Sequence, residues 1–478
     1  MKSAGKNLKG WIGNGGFSLA MENLAEVCLW GKQVGALAYD PASDISTFEF
    51  SPEWRELGCE IAPLRMPLAA TRYQFPGLNF LTFRGLPAVF ADALPDDFGN
   101  AVINAWLTRA GRDADSFTPV ERLLYTGSRG MGALEFLPAI DRGIDRGSEE
   151  GTDLALDSLV VMAQTVLDER MHLQQGIQSG AAVKQARQND NNNVVGSNDA
   201  MQAILRVGTS AGGARAKAVV AVNADRSQLR SGQVDAPPGF EHYLLKFDGV
   251  EEHKIDSESF GDPQGFGRME YAYYLMAKDV GINISPSELL EEGGRAHFMT
   301  RRFERVGNRK LHYVSLCAMD HADYRAPGAY SYEQLLAVAR QLKLPRADAI
   351  EIFRRMVFNV IARNHDDHTK NFGFLLDGPG AQWRLSPAFD VAYSYKKGSP
   401  WVDSHQLSLN GKRDNFTLDD LLVVANLITN FSREAPKIIH RVLEVVRQWP
   451  NYAQQAGVFL PLQEEVQRNL RIDDQFDR

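Results

Sequence analysis

One polar cluster constrains this chain more than any other feature of its sequence. Residues 364–371 read NHDDHTKN, which places two acids, two amides and a cation close together, and residues 386–390 (SPAFD) add a further acid. Between them, residues 372–376 and 383–385 are predicted strands, and residues 377–380 (DGPG) are a predicted turn. Because a hairpin brings its two ends together, Asn371 and Asp390 are predicted neighbours.

Acids and amides in this arrangement are typical of phosphoryl transfer from a nucleotide. That reaction uses one carboxylate to orient the attacking hydroxyl, and an Asn and an Asp to hold Mg²⁺ on the phosphates. Two alternatives remain open. Asp, Asn and His before a strand often build only turns and caps. The pair His365-Asp366 is also typical of metal-dependent phosphohydrolases, for which His312 and His321 are the upstream ligand candidates.

A segment rich in small residues precedes this cluster. Residues 207–217 read VGTSAGGARAK, and an apolar run follows. Such a loop allows backbone N–H groups to approach phosphates closely. It lacks the Gly-Lys-Ser/Thr ending of a Walker A loop and the flanking elements of a dinucleotide fingerprint, so a simple turn between strands is the alternative. The candidate nucleotide-binding residues in this segment are Gly208, Thr209, Ser210, Ala211, Gly212 and Gly213.

Two charged residues follow in predicted regular structure. Lys246 lies in the apolar strand 242–247, where an inward lysine requires an anion such as a phosphate or a carboxylate. Glu270 lies near the start of a predicted helix at residues 268–277, and a kinase-like lobe would pair it with Lys246. The alternatives are a lysine that snorkels from an edge strand and a solvated carboxylate in a first helical turn.

A further predicted strand, at residues 297–305, leads out of this region. It stands where a hinge to a helical lobe would lie, with backbone groups for the edge of an adenine, and Arg301 and Phe303 are the candidates there. The order along the chain is therefore small-residue loop, lysine strand, glutamate helix, hinge, catalytic loop and metal-binding acid. This is the order of a protein kinase.

Four longer segments resemble the HipA family of serine/threonine kinases, the toxin halves of bacterial HipA–HipB toxin–antitoxin pairs. Residues 86–96 (LPAVFADALPD) and 127–136 (GSRGMGALEF) resemble the family's N-terminal coupling region. Residues 315–324 (SLCAMDHADY) resemble the start of its C-terminal kinase lobe, and residues 364–371 resemble its catalytic loop. The resemblance covers most of the chain.

This resemblance implies roles for the charged candidates. It assigns Asp366 as the catalytic base, and Asn371 and Asp390 as the Mg²⁺ ligands. The ATP phosphates would be bound by the strand lysine already described. The transferred phosphoryl group would be supported by His368 and Lys370.

The resemblance also points to a modification site and to two departures from the family pattern. Ser210 falls where the family carries an autophosphorylated serine. Asp367 puts a second acid beside Asp366, so that either could be the base. A polar stretch at residues 185–198 resembles an insertion.

A fold follows from the same resemblance, and the domain boundaries follow from the residue pattern along the chain. It predicts an α+β, protein-kinase-like, two-lobed fold with a mixed α/β small lobe, an all-α large lobe and an additional N-terminal α+β subdomain. The N-terminal coupling subdomain is predicted at residues 22–140, and a linker, a helix and the Asn-rich insertion at 141–200. The small lobe is predicted at residues 201–305 and the helical lobe at 306–478.

Composition agrees with a cytoplasmic globular enzyme. The chain has 478 residues, 44% of them hydrophobic, which is enough for two or three cores. Its three cysteines are too widely spaced for a disulfide framework or a zinc site, and no apolar run approaches membrane-spanning length. A net charge of −8 argues against nucleic-acid binding by the whole surface. A HipB-like helix-turn-helix antitoxin would therefore supply any contact with DNA.

Three function classes remain at this level. The first is an ATP- and Mg²⁺-dependent protein serine/threonine kinase of a toxin–antitoxin pair, which would phosphorylate a cytosolic protein, for example one of the translation machinery, and itself. The second is a small-molecule phosphotransferase that shares the same loops. The third, a non-catalytic binding module, is disfavoured because the parts of a metal-dependent kinase site are all present: Lys246, Asp366, Asn371 and Asp390.

Overall fold

The protein is described by a computed structural model. The residues described are 23–109, 111–138, 154–178, 215–251, 261–262, 264–472 and 476. The small-residue loop at 208–213, with Ser210, and the Asn-rich stretch at 185–198 lie outside them.

The N-terminal region is built on an antiparallel sheet in the order β4-β3-β2-β1-β5. Alternate residues of β3, Ser46, Phe48 and Phe50, are buried, as expected for a strand with one face on a core. The strands are β1 (Leu24–Leu29), β2 (Lys32–Asp40), β3 (Ile45–Phe50), β4 (Arg72–Tyr73) and β5 (Leu134–Leu137).

Among the residues that the structure describes, five helices accompany this sheet. The last of them starts at a capping box, in which Thr118 and Glu121 each bond the other's backbone N–H, and it ends at Gly127, whose φ of 58° suits glycine. The helices are α1 (Pro52–Leu57), α2 (Phe80–Phe83), α3 (Ala88–Ala91), α4 (Asp97–Arg109) and α5 (Pro119–Thr126).

The small lobe contains a second antiparallel sheet, in the order β11-β12-β8-β6-β7. Its strands are β6 (Lys217–Asn223), β7 (Leu229–Ser231), β8 (Phe240–Lys246), β11 (Ser287–Glu292) and β12 (Arg295–Arg301), and a separate pair is formed by β9 (Val250–Glu251) and β10 (Gly261–Asp262). Two helices flank the main sheet: α6 (Leu156–Gln178) shares a core with β6 and β8, whereas α7 (Phe266–Val280) packs on β11 and β12.

The large lobe is mainly helical. Its helices are α8 (Leu316–Met319), α9 (Tyr332–Gln341), α10 (Arg346–Ile361), α11 (Leu418–Ala425), α12 (Ala435–Val446), α13 (Trp449–Ala456) and α14 (Leu460–Asn469). Helix α10 forms the centre, and Phe353, Val357 and Ile361 on one of its faces are fully buried. Each such side chain contributes about 1.5–3 kcal/mol relative to exposure, so this helix is a firm base for the loop that follows it.

This lobe departs from the predicted all-α description in its strands. The hairpin predicted from the sequence is confirmed as β16 (Gly373–Leu376) and β17 (Arg384–Leu385), and β15 (His312–Ser315) pairs with its outer side. A short pair, β13 (Arg305–Val306) and β14 (Arg309–Lys310), precedes them. The hairpin needs a third strand because two strands alone bury too little apolar surface.

Two other properties of the described part of the chain bear on its class. Within it, no helix combines the length and the apolarity that a membrane crossing requires. All three cysteines are buried free thiols. Burial raises the pKa of Cys317 to about 12, so this thiol is not a nucleophile at neutral pH.

Candidate active site

Lys246 is the centre of the charge network between the lobes. It is the last residue of β8, and because side chains alternate across a strand, it points away from Leu245 and towards α7. Its Nζ donates to Glu270 Oε1 at 2.5 Å and to Asp390 Oδ1 at 2.6 Å. Burial opposes the charge of Lys246, but Asp390 and Glu270 outweigh burial and raise its pKa. The pair predicted between Lys246 and Glu270 is therefore in contact.

Two further cations lie beside this lysine. Lys217 at the start of β6 stands opposite Lys246 in the strand register, and Arg215 Nη1 lies 3.3 Å from Glu270 Oε2. Together, Lys246, Lys217 and Arg215 outweigh the effect of burial and lower the pKa of Asp390 to about 2. Asp390 is thus a carboxylate surrounded by positive charge.

The N-terminal region contributes an acid to this network. Lys217 Nζ lies 3.0 Å from Asp96 Oδ2, and both side chains are almost fully buried. Asp96 in turn accepts a hydrogen bond from the Gly99 amide at the start of α4. Breaking such a buried pair from one side costs about 3–5 kcal/mol, so Asp96 ties the N-terminal region to the small lobe beside the site.

Asp366 is the accessible acid of the catalytic loop. The loop begins just after α10, and Arg363, whose φ is 57°, turns the chain away from the helix. Asp366 lies deep between the lobes, yet 48% of its side-chain surface is open to the cleft, and its Oδ1 lies 3.7 Å from His368 Nε2. Desolvation in this position raises the pKa of Asp366, against the effect of His368.

Asp367 has a different environment, although it is the next residue. Its side chain has no exposed surface. The carboxylate accepts hydrogen bonds from Tyr332 Oη at 2.7 Å and His405 Nδ1 at 2.9 Å, and from the Gln406 amide at 2.8 Å. Of the two adjacent acids, Asp366 is therefore the one whose carboxylate is open.

Lys370 is a later residue of the same catalytic loop. Its Nζ is 4.9 Å from the centre of the Tyr324 ring, and the His368 ring contacts the same tyrosine. Burial opposes the charge of Lys370, but Asp92 of the N-terminal region outweighs burial and raises its pKa. Asp92 is itself fixed by the amide and hydroxyl of Ser315, at 2.7 and 2.8 Å.

The two predicted metal ligands line one cavity. Asn371 and Asp390 both line it, together with Asn364 and Asp367. Asn371 Nδ2 donates to the Asp366 carbonyl at 2.7 Å, which leaves its Oδ1 as an acceptor. An amide oxygen and a carboxylate with a low pKa are oxygen ligands of the kind that Mg²⁺ prefers, so the donor set fits this ion.

Asp390 also has an unusual backbone. Its φ is 52°, in the left-handed region that non-glycine residues seldom adopt, although Asp and Asn tolerate it best. Such a conformation persists only where the surroundings enforce it, and it is found most often at functional sites.

The predicted hinge is held mainly by its buried arginines. Arg305 donates to the carbonyls of Gly130 and Gly132 at 3.3 and 3.0 Å, which fixes the hinge to the N-terminal region. Arg301 forms an exposed ion pair with Glu241, and exposed pairs contribute little. Phe303 packs its ring 5.5 Å from that of Phe389, the residue before Asp390. No contact of Arg301 or Phe303 assigns either residue to adenine.

The histidines proposed for a phosphohydrolase are not gathered into a metal site. His312 is fully buried and its Nε2 bonds the Ile61 carbonyl at 2.8 Å, while His321 packs its ring on Phe75. Among the described residues, no group of three His, Cys, Asp or Glu side chains is placed to hold a metal. The phosphohydrolase alternative therefore has no support in this part of the chain.

Several residues of the site could not be found from sequence patterns alone. Asp92 and Asp96 lie in the segment LPAVFADALPD, which the sequence marked only as a coupling region, and nothing local connects them to Lys217 or Lys370. Asp367 stands out in the sequence as an extra acid, but the sequence does not indicate that it is buried. The one sequence signal for Asp92 and Asp96 is that two acids recur within an otherwise apolar segment.

The fold and the charge network define a two-lobed, kinase-like protein with an added N-terminal α+β region. A family model described as the HipA-like C-terminal domain matches residues 209–449, just over half of the chain, and one described as the HipA N-terminal domain matches residues 25–137. The chain belongs to the HipA family.

Comparison with individual proteins agrees with this. The chain is similar to HipA of Shewanella oneidensis MR-1, solved with HipB and operator DNA, with a TM-score of 0.57 and 14% identity over 93% of each chain. This likeness confirms the predicted fold. A protein named "Putative kinase Y4mE" from Sinorhizobium fredii is 22% identical over 126 residues, which span 24% of this chain and 30% of that relative.

Proposed function

We propose that the chain is an ATP- and Mg²⁺-dependent protein serine/threonine kinase of the HipA type. One observation supports this most: Lys246 joins Glu270 of α7 to Asp390 of the large lobe, and the charge of Asp390 acts on the open carboxylate of Asp366. A lysine–glutamate pair and a metal-binding acid, both in place, are the requirement for an active protein kinase.

The residues present divide the work of phosphoryl transfer among them. When bound, MgATP would supply the γ-phosphoryl group and the metal charge that offsets its phosphates. Asn371 Oδ1 and Asp390 would hold the metal, and Lys246 would neutralise a phosphate. Asp366 would accept the proton of the attacking hydroxyl, which its raised pKa favours, since a better base takes the proton more readily. Lys370 would face the transferred group.

Incubation with labelled ATP and Mg²⁺, followed by mass spectrometry of the intact chain and of its peptides, tests this function. Label on a serine or threonine of the chain, or of an added protein, is the expected result. The matched control is the Asp366→Asn variant under the same conditions. Label in neither sample would contradict the proposal. Equal label in both would contradict the assignment of Asp366 as the base, unless the Lys246→Met variant is labelled equally as well, which would show a contaminating kinase.

Lys246→Met is expected to weaken ATP binding by about tenfold or more, because a charge-assisted contact of about 1.5–3 kcal/mol is lost. The two acids that Lys246 now neutralises would also repel the phosphates. Isothermal calorimetry measures the effect, and Lys278→Met, which removes an exposed lysine of α7, is the control. Unchanged affinity in Lys246→Met would exclude a phosphate contact for this residue.

A second expected result concerns Ser210. We infer autophosphorylation there from the family resemblance and from the small-residue loop that contains it. Phosphorylation adds roughly two negative charges, which would repel the phosphates of ATP and compete with Glu270 and Asp96 for Arg215 and Lys217. Phosphorylated protein should lose ATP affinity, and Ser210→Ala should stay active for longer in the presence of MgATP. Mass spectrometry that finds no phosphate on Ser210 of active enzyme would refute this switch.

The proposal also covers the partner protein and the cellular role of the chain. HipA of Shewanella oneidensis was solved with HipB and operator DNA, so a HipB-like helix-turn-helix antitoxin is the proposed partner, and cytosolic toxin is the proposed role. The net charge of −8 supports DNA contact through the partner. Co-expression with the protein encoded immediately upstream, followed by co-purification and a growth assay, tests this part.

A further inference from the structure

Asp367 is an unusually well satisfied carboxylate. Four groups donate to it: Tyr332 Oη, His405 Nδ1, the Gln406 amide and, at 3.4 Å, the Leu407 amide. A buried carboxylate would cost several kcal/mol if it were unpaired, whereas hydrogen bonds to an ionised acceptor are the strong class. These four hydrogen bonds therefore fix the position of the Asp367 carboxylate and, equally, the positions of the four donor groups.

The donors come from two separate parts of the large lobe. Tyr332 begins α9, and its hydroxyl also accepts from Asn359 Nδ2 of α10 at 3.1 Å. The other three donors belong to consecutive residues, His405 to Leu407, in the loop that follows Asp390. Asp367 thus joins the helical core to that loop through the catalytic loop.

Backbone contacts place the same loop on the stem of the catalytic loop. The His365 ring bonds the Val402 carbonyl through Nδ1 at 3.1 Å, and the His365 carbonyl accepts from the Gln406 amide at 3.3 Å. The rings of His365 and His405 are tilted by 36° to each other, with centres 4.1 Å apart. Among these contacts, only those to Asp367 involve an acid, so Asp367 is the group whose loss would weaken the junction most.

We propose that Asp367 is a positioning residue that locks residues 402–407 onto the catalytic loop and thereby fixes the orientation of its neighbour Asp366. The second anchor of Asp366 is the bond from Asn371 Nδ2 to its carbonyl. Both anchors fix the backbone from which the open carboxylate projects. This inference rests on the proposed kinase function for its effect on rate.

The arrangement has a regulatory consequence. In many kinases the loop after the metal-binding Asp is ordered by a phosphate on that loop, which pairs with arginines elsewhere. Here the anion and its partners have exchanged places. The anion is Asp367 of the catalytic loop, and the donors lie in the loop after Asp390. A permanent carboxylate replaces the added phosphate, so this loop needs no activating modification to be ordered.

Kinetics of isosteric variants separate a positioning role from a purely structural one. Asp367→Asn should lower kcat by roughly 100-fold, the effect of displacing a reacting group by about 1 Å, while the KM for ATP changes less than about threefold. His405→Ala should lower kcat in the same manner, and His405→Asn should restore much of it, because the Asn amide can take the place of Nδ1–H. Ser404→Ala, in the same loop but without a bond to Asp367, is the matched control.

Tyr332→Phe covers the case in which Asp367→Asn does not fold. It removes one donor to Asp367 and leaves the volume of the side chain nearly unchanged, so a lower kcat at an unchanged melting temperature is expected. A normal kcat in folded Asp367→Asn and in Tyr332→Phe would overturn the proposal. So would loss of ATP affinity in parallel with kcat, or failure of His405→Asn to improve on His405→Ala.

Amide hydrogen exchange tests the lock between Asp367 and residues 402–407 without an activity measurement. The amides of Gln406 and Leu407 should exchange slowly in the wild-type protein, and at least tenfold faster in Asp367→Asn, since one hydrogen bond of about 1.4 kcal/mol corresponds to a factor of ten. Equal exchange in both proteins would overturn the lock. If the wild-type protein transfers no phosphate but shows this difference, the proposed function fails and the lock stands.

Discussion

Asp366→Asn is expected to lower phosphoryl transfer by about 10²–10⁴-fold, the usual contribution of a positioned general base. The fold should be unaffected, because 48% of the Asp366 side chain is exposed and its ion-pair partner His368 lies 3.7 Å away. ATP affinity should also be unchanged, since the phosphate contacts are assigned to Lys246. Single-turnover rates, calorimetry and thermal unfolding of the variant measure the three quantities.

Asp367→Asn is the informative comparison for this prediction. It should disturb the loop after Asp390 and the amide exchange there, whereas Asp366→Asn should leave both as they are. If Asp366→Asn kept near-normal turnover and Asp367→Asn had none with its loops still protected, the assignment of the base would be wrong by one position.

The pH dependence of the wild-type enzyme follows from Asp366. Asp366 accepts a proton only in its ionised form, and desolvation raises its pKa above the ordinary value for aspartate. The rate should therefore fall as the pH drops through this raised pKa, at a higher pH than an exposed aspartate would give. The residual rate of Asp366→Asn should lack this acidic limb in a profile of kcat/KM against pH.

The local part of the site could be predicted because its signals are short in sequence. The hairpin from β16 to β17 follows from two apolar runs and a Gly-Pro-Gly turn, and it brings Asn371 and Asp390 to one cavity. The order of a lysine strand and a glutamate helix likewise predicted the contact between Lys246 and Glu270.

The contacts of the N-terminal region could not be predicted in this way. Asp92 bonds Ser315 over a separation of 223 residues, and Asp96 meets Lys217 across a stretch that includes α4 to α6. Hydrophobic periodicity specifies which face of an element is buried, but it carries no information about which distant element covers that face. The role of the N-terminal region beside the catalytic loop emerges only once both are folded together.

The two adjacent acids show the same limit at the scale of one residue. Asp366 and Asp367 are chemically identical, and their exposed fractions of 48% and 0% are set by Tyr332 and by the loop at residues 405–407. The left-handed backbone at Asp390 is another such feature, because aspartate is compatible with it without being diagnostic of it.

Asp390→Asn is expected to lower Mg²⁺-dependent transfer by roughly 10²–10³-fold, because a metal ion supplies several kcal/mol of charge stabilisation and its anionic ligand is lost. Asparagine is the suitable replacement, since it tolerates the φ of 52° at this position. ATP binding without Mg²⁺ should respond in the opposite direction. Lys246 Nζ donates to Asp390 Oδ1 at 2.6 Å in the structure. Removing the charge of Asp390 therefore frees this lysine for the nucleotide phosphates.

The two effects together identify Asp390 as a metal ligand rather than a structural acid. Calorimetry should show that Mg²⁺ strengthens ATP binding to the wild-type protein but not to Asp390→Asn, whose affinity for free ATP equals or exceeds that of the wild type. The fold should persist, because Lys246 keeps Glu270 as its partner at 2.5 Å. If Mg²⁺ strengthened ATP binding equally in both proteins, Asp390 would serve only to neutralise the three cations around it, and the metal would have to be held elsewhere.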